Sequence, residues 1–167
     1  MARAIALSVL VAVLLPAKRM ADGREWTTEN LRVVVDDSYC YADSDANCRQ
    51  YGRLYTWTAA QAGCAALGAG WRLPTDDEWR RLAQRYGTSA YAALMAGGRS
   101  GFDAVLGGDR EPDGQYARVG AHGFYWTSTE HDRRSAVFYN FGLGGRALNR
   151  QPEGEKQRAM TVRCLKD

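Results

Sequence analysis

The stretch Gly70 to Trp79, "GWRLPTDDEW", decides the fold. Thr75 and Glu78 stand three residues apart, the T-x-x-E spacing of a capping box. The Thr oxygen takes a free backbone N–H at the helix start, and the Glu reaches back to the Thr N–H. Asp76 and Asp77 fall in the first turn, where the helix dipole favours negative charge. Pro74 holds Leu73 extended and keeps the helix from starting earlier. Beyond the box, Trp79, Leu82, Ala83 and Tyr86 recur as one apolar stripe, and Gly87 ends the helix. Trp71 and Trp79 are expected in the core. Each acid of the stretch therefore has a structural reason to be there. The segment reads as the corner that holds helices against a sheet, not as a catalytic box.

Outward from this corner the pattern alternates between helix and strand. Upstream, "TWTAAQAGCAALGAG" (56–70) is a first helix, rich in Ala and stopped by Gly68 and Gly70. Trp57, Ala60, Cys64 and Leu67 share one face, so Cys64 points inward toward a partner distant in sequence. Residues 24–36 have the content of a strand ending in a turn, and 37–52 read as a polar loop bounded by Cys40 and Cys48. Residues 90–121 are Gly-rich with little periodicity, read as long loops carrying short strands and the seat of variable function. Three strand-like runs follow, 123–130, 135–143 and 159–166, separated by polar turns and expected to form an antiparallel sheet. The class is α+β.

The N-terminus is of another kind. A basic start, the apolar run Ala4 to Leu15 and then "PAKRMADG" give the order of a secretory signal. The run falls short of the roughly 20 apolar residues that span a bilayer. Cleavage is expected after Ala17 or Ala21, leaving one domain over 22–167, with no transmembrane segment, at the cell surface, in the periplasm or secreted. The formal charge of +3 then falls: cleavage after Ala21 removes Arg3, Lys18 and Arg19 and no acid, leaving 0, and cleavage after Ala17 removes Arg3 alone, leaving +2. A near-neutral chain gives no footprint for nucleic acid. An even set of four cysteines in an exported chain predicts two disulfides, with the pairing open apart from the short Cys40–Cys48 spacing, which suits a local bridge. There is no CxxC, and His122 and His131 lie far from any Cys in sequence, so zinc is not expected.

Six segments, "DGREWTTENLR", "SYCY…NCRQYGRLYTWTAA", "GWRLPTDDEW", "SGFDAVLGG", "GFYWTSTE" and "VRCLKD", occur in this order. In this they resemble the Fibrobacter succinogenes major paralogous domain, a family of exported bacterial proteins. The resemblance covers about 22–167. The family is similar in turn to the formylglycine-generating sulfatase-modifying enzymes, which share the RLPT-x-x-EW box. Both resemblances imply a C-type-lectin-like fold: two helices packed on small antiparallel sheets, with long loops and two disulfides. They also imply that the first helix is tied to the last strand, through Cys64–Cys164, leaving Cys40–Cys48 as the local pair.

The chemistry implied by the oxidases fits this chain poorly. They bind copper and activate oxygen with a close thiol pair near the C-terminal end. Here no cysteine lies between Cys64 and Cys164, so the thiolate donors are missing. Ser128, Thr129, Glu130 and His131 are adjacent but alternate between strand faces, with no orienting acid in sight, and no catalytic residue is assigned. No cofactor is expected. Calcium is the metal with ligands on offer, through Asp43 and Asp45 of "DSDAN", although the EF-hand positions for Gly and Glu hold Cys48 and Leu54. Trp126 is expected in the core. Tyr125, Tyr139 and Phe141 are expected to form an exposed aromatic face for a ligand, with Arg146 and Asn149 from the turn around 142–153. The resulting expectation is a non-enzymatic module that binds a protein or glycan through the loops of 90–120 and that turn. The alternatives are an enzyme or degenerate enzyme of the formylglycine-generating group, and a calcium-dependent lectin.

Overall fold

A computed structural model describes residues 14–167, so the apolar run of the expected signal lies outside the described residues except for Leu14 and Leu15. The chain is an α+β domain with small antiparallel sheets. Its strands begin with β1 (Ala17–Arg19), β2 (Glu25–Thr27), β3 (Ser38–Tyr39), β4 (Leu54–Tyr55) and β5 (Trp71–Arg72). They continue with β6 (Asp109–Arg110), β7 (Tyr116–Ala117), β8 (His122–Glu130), β9 (Ser135–Gly142), β10 (Ala147–Glu155) and β11 (Leu165–Lys166). Four helices lie among them: α1 (Asp45–Tyr51), α2 (Trp57–Ala65), α3 (Asp76–Gln84) and α4 (Ala90–Leu94). One sheet has the order β1-β2-β11-β5 and joins both ends of the described chain, Leu165 pairing with Trp26 and Arg72. A second is the β10-β9-β8 meander. Two short ribbons, β3–β4 and β6–β7, carry the loops.

The capping box forms as the spacing predicts. Thr75 Oγ1 accepts from the Glu78 amide at 3.2 Å, and Glu78 Oε2 accepts from the Thr75 amide at 2.8 Å. Arg72 donates twice more to Glu78, at 2.8 and 2.6 Å. Burial raises the Glu78 pKa, but the bonds from Arg72 and the Thr75 amide outweigh it and hold the carboxyl below the usual carboxylate range. A depressed carboxylate stabilises the fold above its unfolded pKa and loses that contribution as pH falls through the folded one. The melting-temperature gap between wild type and Glu78→Gln should therefore be widest near neutrality and shrink below about pH 4. A gap that stays constant down to acid pH would contradict the pairing.

Trp79 shows what this corner is for. It is fully buried, with the rings of Trp26, Tyr139, Phe102 and Tyr125 centred 5.2, 5.3, 5.5 and 5.6 Å away. This corrects the expected aromatic face. Tyr125 pairs with Tyr139 across β8–β9, so both point to the same side, where Phe141 joins them under α3. Trp126 pairs with Phe138 and points to the opposite side, onto α2. The central sheet is thus covered on both faces, a condition that strand alternation alone does not reveal. Tyr125 and Phe141 are 0% exposed and Tyr139 is 4% exposed, so none of the three presents a ring to solvent.

Both disulfides pair as expected. Cys64–Cys164 ties α2 to the final segment with the Cα atoms 5.6 Å apart, and Cys40–Cys48 closes a local loop. Other expectations need correction. Two helices were expected, and four form among the described residues. The expected polar loop between Cys40 and Cys48 contains a 3-10 turn and α1, neither of which buries a residue. With nothing buried there is no apolar stripe to read. Of the strand expected at 24–36 only Glu25–Thr27 pairs. Of 159–166 only Leu165–Lys166 does; residues 159–164 run buried through the middle, making single bridges to Arg110, Tyr55 and Tyr125. The expected turn at 142–153 is mostly β10, and α4 lies in the stretch expected as loops.

Candidate functional site

Two loop systems gather the chemistry that the strands do not expose. The first is a tyrosine platform. The β6–β7 ribbon turns at Asp113-Gly114, where Gly114 adopts φ +92° and Asp113 accepts from the Gln115 amide. Its register sets Tyr116 opposite Arg110. The loop closed by Cys40–Cys48 brings Tyr41 to the same place, 5.2 Å from the Tyr116 ring centre. The β3 strand adds Tyr39, with the Arg110 guanidinium 4.0 Å over its ring and 5.8 Å from that of Tyr116. All three tyrosines are half-buried. Each therefore keeps part of its ring in water while its position is fixed from behind.

Charges brace the platform. Tyr116 Oη donates to the Asp43 carboxylate at 2.6 Å. Burial and that acceptor together raise the Tyr116 pKa, so the phenol stays protonated at neutral pH. Beneath β6, Asp109 is completely buried and accepts from Arg118 at 2.8 Å and Arg158 at 2.6 Å. Burial pushes the Asp109 pKa up more than those guanidiniums lower it. Arg53 donates to Ser38 and lies 3.5 and 3.7 Å from the sulfurs of Cys40 and Cys48, anchoring that bridge to β3.

The second system is a groove of about 700 Å³ between the start of α2 and the β8–β9 turn. Thr56 and Trp57 form its floor, with Lys156 lying 4.5 Å over the indole ring. The Trp57 indole N–H is already spent on the Thr127 carbonyl, at 2.8 Å. Asp37, Arg133, Arg134 and Glu155 also line it. Asp37 also lies 3.4 Å from Tyr39 Oη, so groove and platform adjoin.

The sequence-predicted site residues fall in different places. Asp43 is an acceptor for Tyr116, and Asp45 begins α1. Among the described residues no group of three or more His, Cys, Asp or Glu gathers as a metal site would. Arg146 and Asn149 are exposed on the β9–β10 hairpin, outside both the platform and the groove. Thr129 Oγ1 accepts from the Asp76 amide, while His131 faces Glu153 at 3.7 Å, so Thr129 and His131 do not act as a pair. Asp76 does more than complement a dipole: its carboxylate accepts from Arg150 at 2.8 Å and Tyr139 at 2.9 Å, tying α3 to the meander. Tyr39, Tyr41, Arg110, Tyr116 and Trp57 were not foreseen. The density of tyrosine in "SYCYADSDANCRQYG" is the signal that marks two of them.

These features define a two-disulfide α+β domain whose exposed chemistry sits on loops. The chain belongs to the Fibrobacter succinogenes major domain family, whose model matches residues 17–166. No curated protein and no solved structure matches it.

Proposed function

We propose that this domain is an exported, non-enzymatic binding module of C-type-lectin-like architecture that meets a protein or glycan ligand through its loop face. The observation that carries the reading is the platform of Tyr39, Tyr41 and Tyr116 around Arg110. Tyrosine and arginine supply large contact area with hydrogen-bonding tips, and they dominate binding energies at protein surfaces. A local disulfide and the Asp43–Tyr116 bond keep the rings in place before any ligand arrives, which lowers the entropy cost of binding. All four cysteines are consumed in bridges, which supports an oxidising compartment. It also leaves the oxidised chain without the thiolates that sulfatase-modifying oxidases use. No helix of the described residues is long and apolar enough to cross a membrane.

The same reading places signal cleavage no later than Ala17. Cleavage after Ala21 would remove β1 from its pairing with β2 and take Met20, 5% exposed, out of the core around Trp26. It would also remove the Lys18 bond to the Ser100 carbonyl. Intact mass of the exported protein should match a chain that retains Lys18; a chain beginning at Asp22 would contradict this.

The binding role is tested on an array of immobilised glycans and purified surface proteins. The double variant Tyr41→Ala/Tyr116→Ala should lose roughly tenfold or more in affinity for a retained protein or neutral glycan, a hot-spot effect. Unchanged affinity in a folded variant would remove the platform from the site.

A further inference from the structure

We propose that the groove at the start of α2 binds an acidic saccharide. Its carboxylate would lie against Arg133 and Arg134, and its ring hydroxyls against Asp37 and Glu155. The inference rests on the domain being a binding module, but not on the tyrosine platform.

Four observations carry it. First, a volume of about 700 Å³ is ample for a short saccharide, since small-molecule sites run about 300–1,000 Å³. Second, Thr56 lines the groove, is only 8% exposed, and its hydroxyl caps nothing at the start of α2. Among the described residues that hydroxyl has no hydrogen-bond partner. The hydroxyl meets solvent in the groove rather than standing buried without a partner, so it is free to bond a ligand atom. Third, the guanidiniums of Arg133 and Arg134 are exposed and form no ion pair or side-chain hydrogen bond among the described residues. The turn that presents them is nevertheless fixed. Asp132 accepts from the Arg134 and Ser135 amides and the Ser135 hydroxyl, each at 2.8 Å. Lys156 donates to the Asp132 and Arg133 carbonyls at 2.9 and 3.1 Å, and to Glu130 at 2.6 Å. Two free guanidiniums on a rigid turn match the planar, bidentate geometry of a carboxylate.

The fourth observation selects the class of ligand. Asp37 and Glu155 also line the groove and form no ion pair among the described residues. They repel a bare anion, yet they accept hydrogen bonds from hydroxyl groups. A ligand that satisfies both the guanidiniums and the carboxylates carries a negative group and several hydroxyls on one small frame, as a uronic acid does. Trp57 lines the same groove beside Lys156, which lies 4.5 Å over its ring.

The test is isothermal titration at low salt with tri-galacturonate. Galactotriose, inorganic sulfate and tetra-glutamate serve as comparison probes. Tri-galacturonate should bind at one site, at least tenfold more tightly than each of the other three. Arg133→Ala/Arg134→Ala should weaken it at least tenfold. Thr56→Val should weaken it several-fold with an unchanged melting temperature, since the lost hydroxyl had no partner. Tyr41→Ala/Tyr116→Ala should leave it unchanged. Equal binding of galactotriose, sulfate or tetra-glutamate would overturn the assignment, as would no binding of tri-galacturonate or full affinity in the groove variants. Loss confined to the tyrosine variant would also overturn it, while supporting the platform as the binding site.

Discussion

Replacing both Cys64 and Cys164 with alanine lowers the unfolding free energy by about 4–5 kcal/mol. The bridge spans 100 residues, and in the chain-entropy model a loop of that length restricts the unfolded ensemble by this amount. Domains of this kind have about 5–15 kcal/mol in total, so the loss removes much of the fold's stability. Both cysteines are fully buried and lie within the cluster of Tyr55, Trp126 and Val162, so the variant also loses packing at the junction of α2 and the last segment. The Cys40–Cys48 bridge, with a separation of 8, contributes about 2–3 kcal/mol by the same relation. Urea denaturation of the two double variants checks both values. A smaller loss for the Cys64–Cys164 pair than for the local pair would contradict the assignment of roles.

The second large effect belongs to Arg163. Its side chain is 1% exposed and has no carboxylate partner among the described residues. It donates instead to Asn30 Oδ1 at 2.7 Å, to the carbonyls of Thr27 and Asp103 at 3.2 and 2.7 Å, and to the Phe102 carbonyl. The guanidinium also lies 4.4 Å over the Phe102 ring. Burial holds its pKa below the ordinary arginine value, with Tyr125 and Asp103 partly opposing that shift. Arg163 thereby ties the segment at Phe102–Asp103 to the sheet in which β2 pairs with β11. Arg163→Met keeps the stem but leaves several buried acceptors without a donor, each costing about 1–3 kcal/mol. The expected destabilisation is about 3–5 kcal/mol, and Arg163→Lys, with fewer donors in the wrong geometry, recovers only a minor part. A loss under about 1 kcal/mol for Arg163→Met would show that water replaces the guanidinium, contrary to this reading.

Local contacts were legible and non-local ones were not. The Thr75–Glu78 box needs residues three apart, so its spacing sufficed to place the helix start. The helix at α2 was legible from its alanines and from the inward face of Cys64. The fate of Tyr125, Tyr139 and Phe141 was not, because it depends on α3 covering one face of a sheet whose other face α2 already covers. The β10 strand hid behind Gly154 and Pro152. Gly154 is required there, since a Cβ would come within 2.6 Å of Phe138 and 2.8 Å of Trp126. The platform joins Tyr39, Tyr41, Arg110 and Tyr116 across some 70 residues of chain, through a disulfide and a ribbon, and no periodicity records such a meeting. The stretch 90–120, expected to carry the ligand contacts, contributes one arginine and one tyrosine to the platform, which is completed by the segment expected as a polar loop with calcium ligands at Asp43 and Asp45.

The most direct measurement is amide chemical-shift mapping by NMR, with a ligand identified on the array added to the purified protein. Shifts should concentrate at 37–43, 110–116, 133–134 and 156, around the platform and the groove that adjoins it. Shifts centred instead on the hairpin of Arg146 and Asn149, with those segments unmoved, would contradict the loop face as the binding surface.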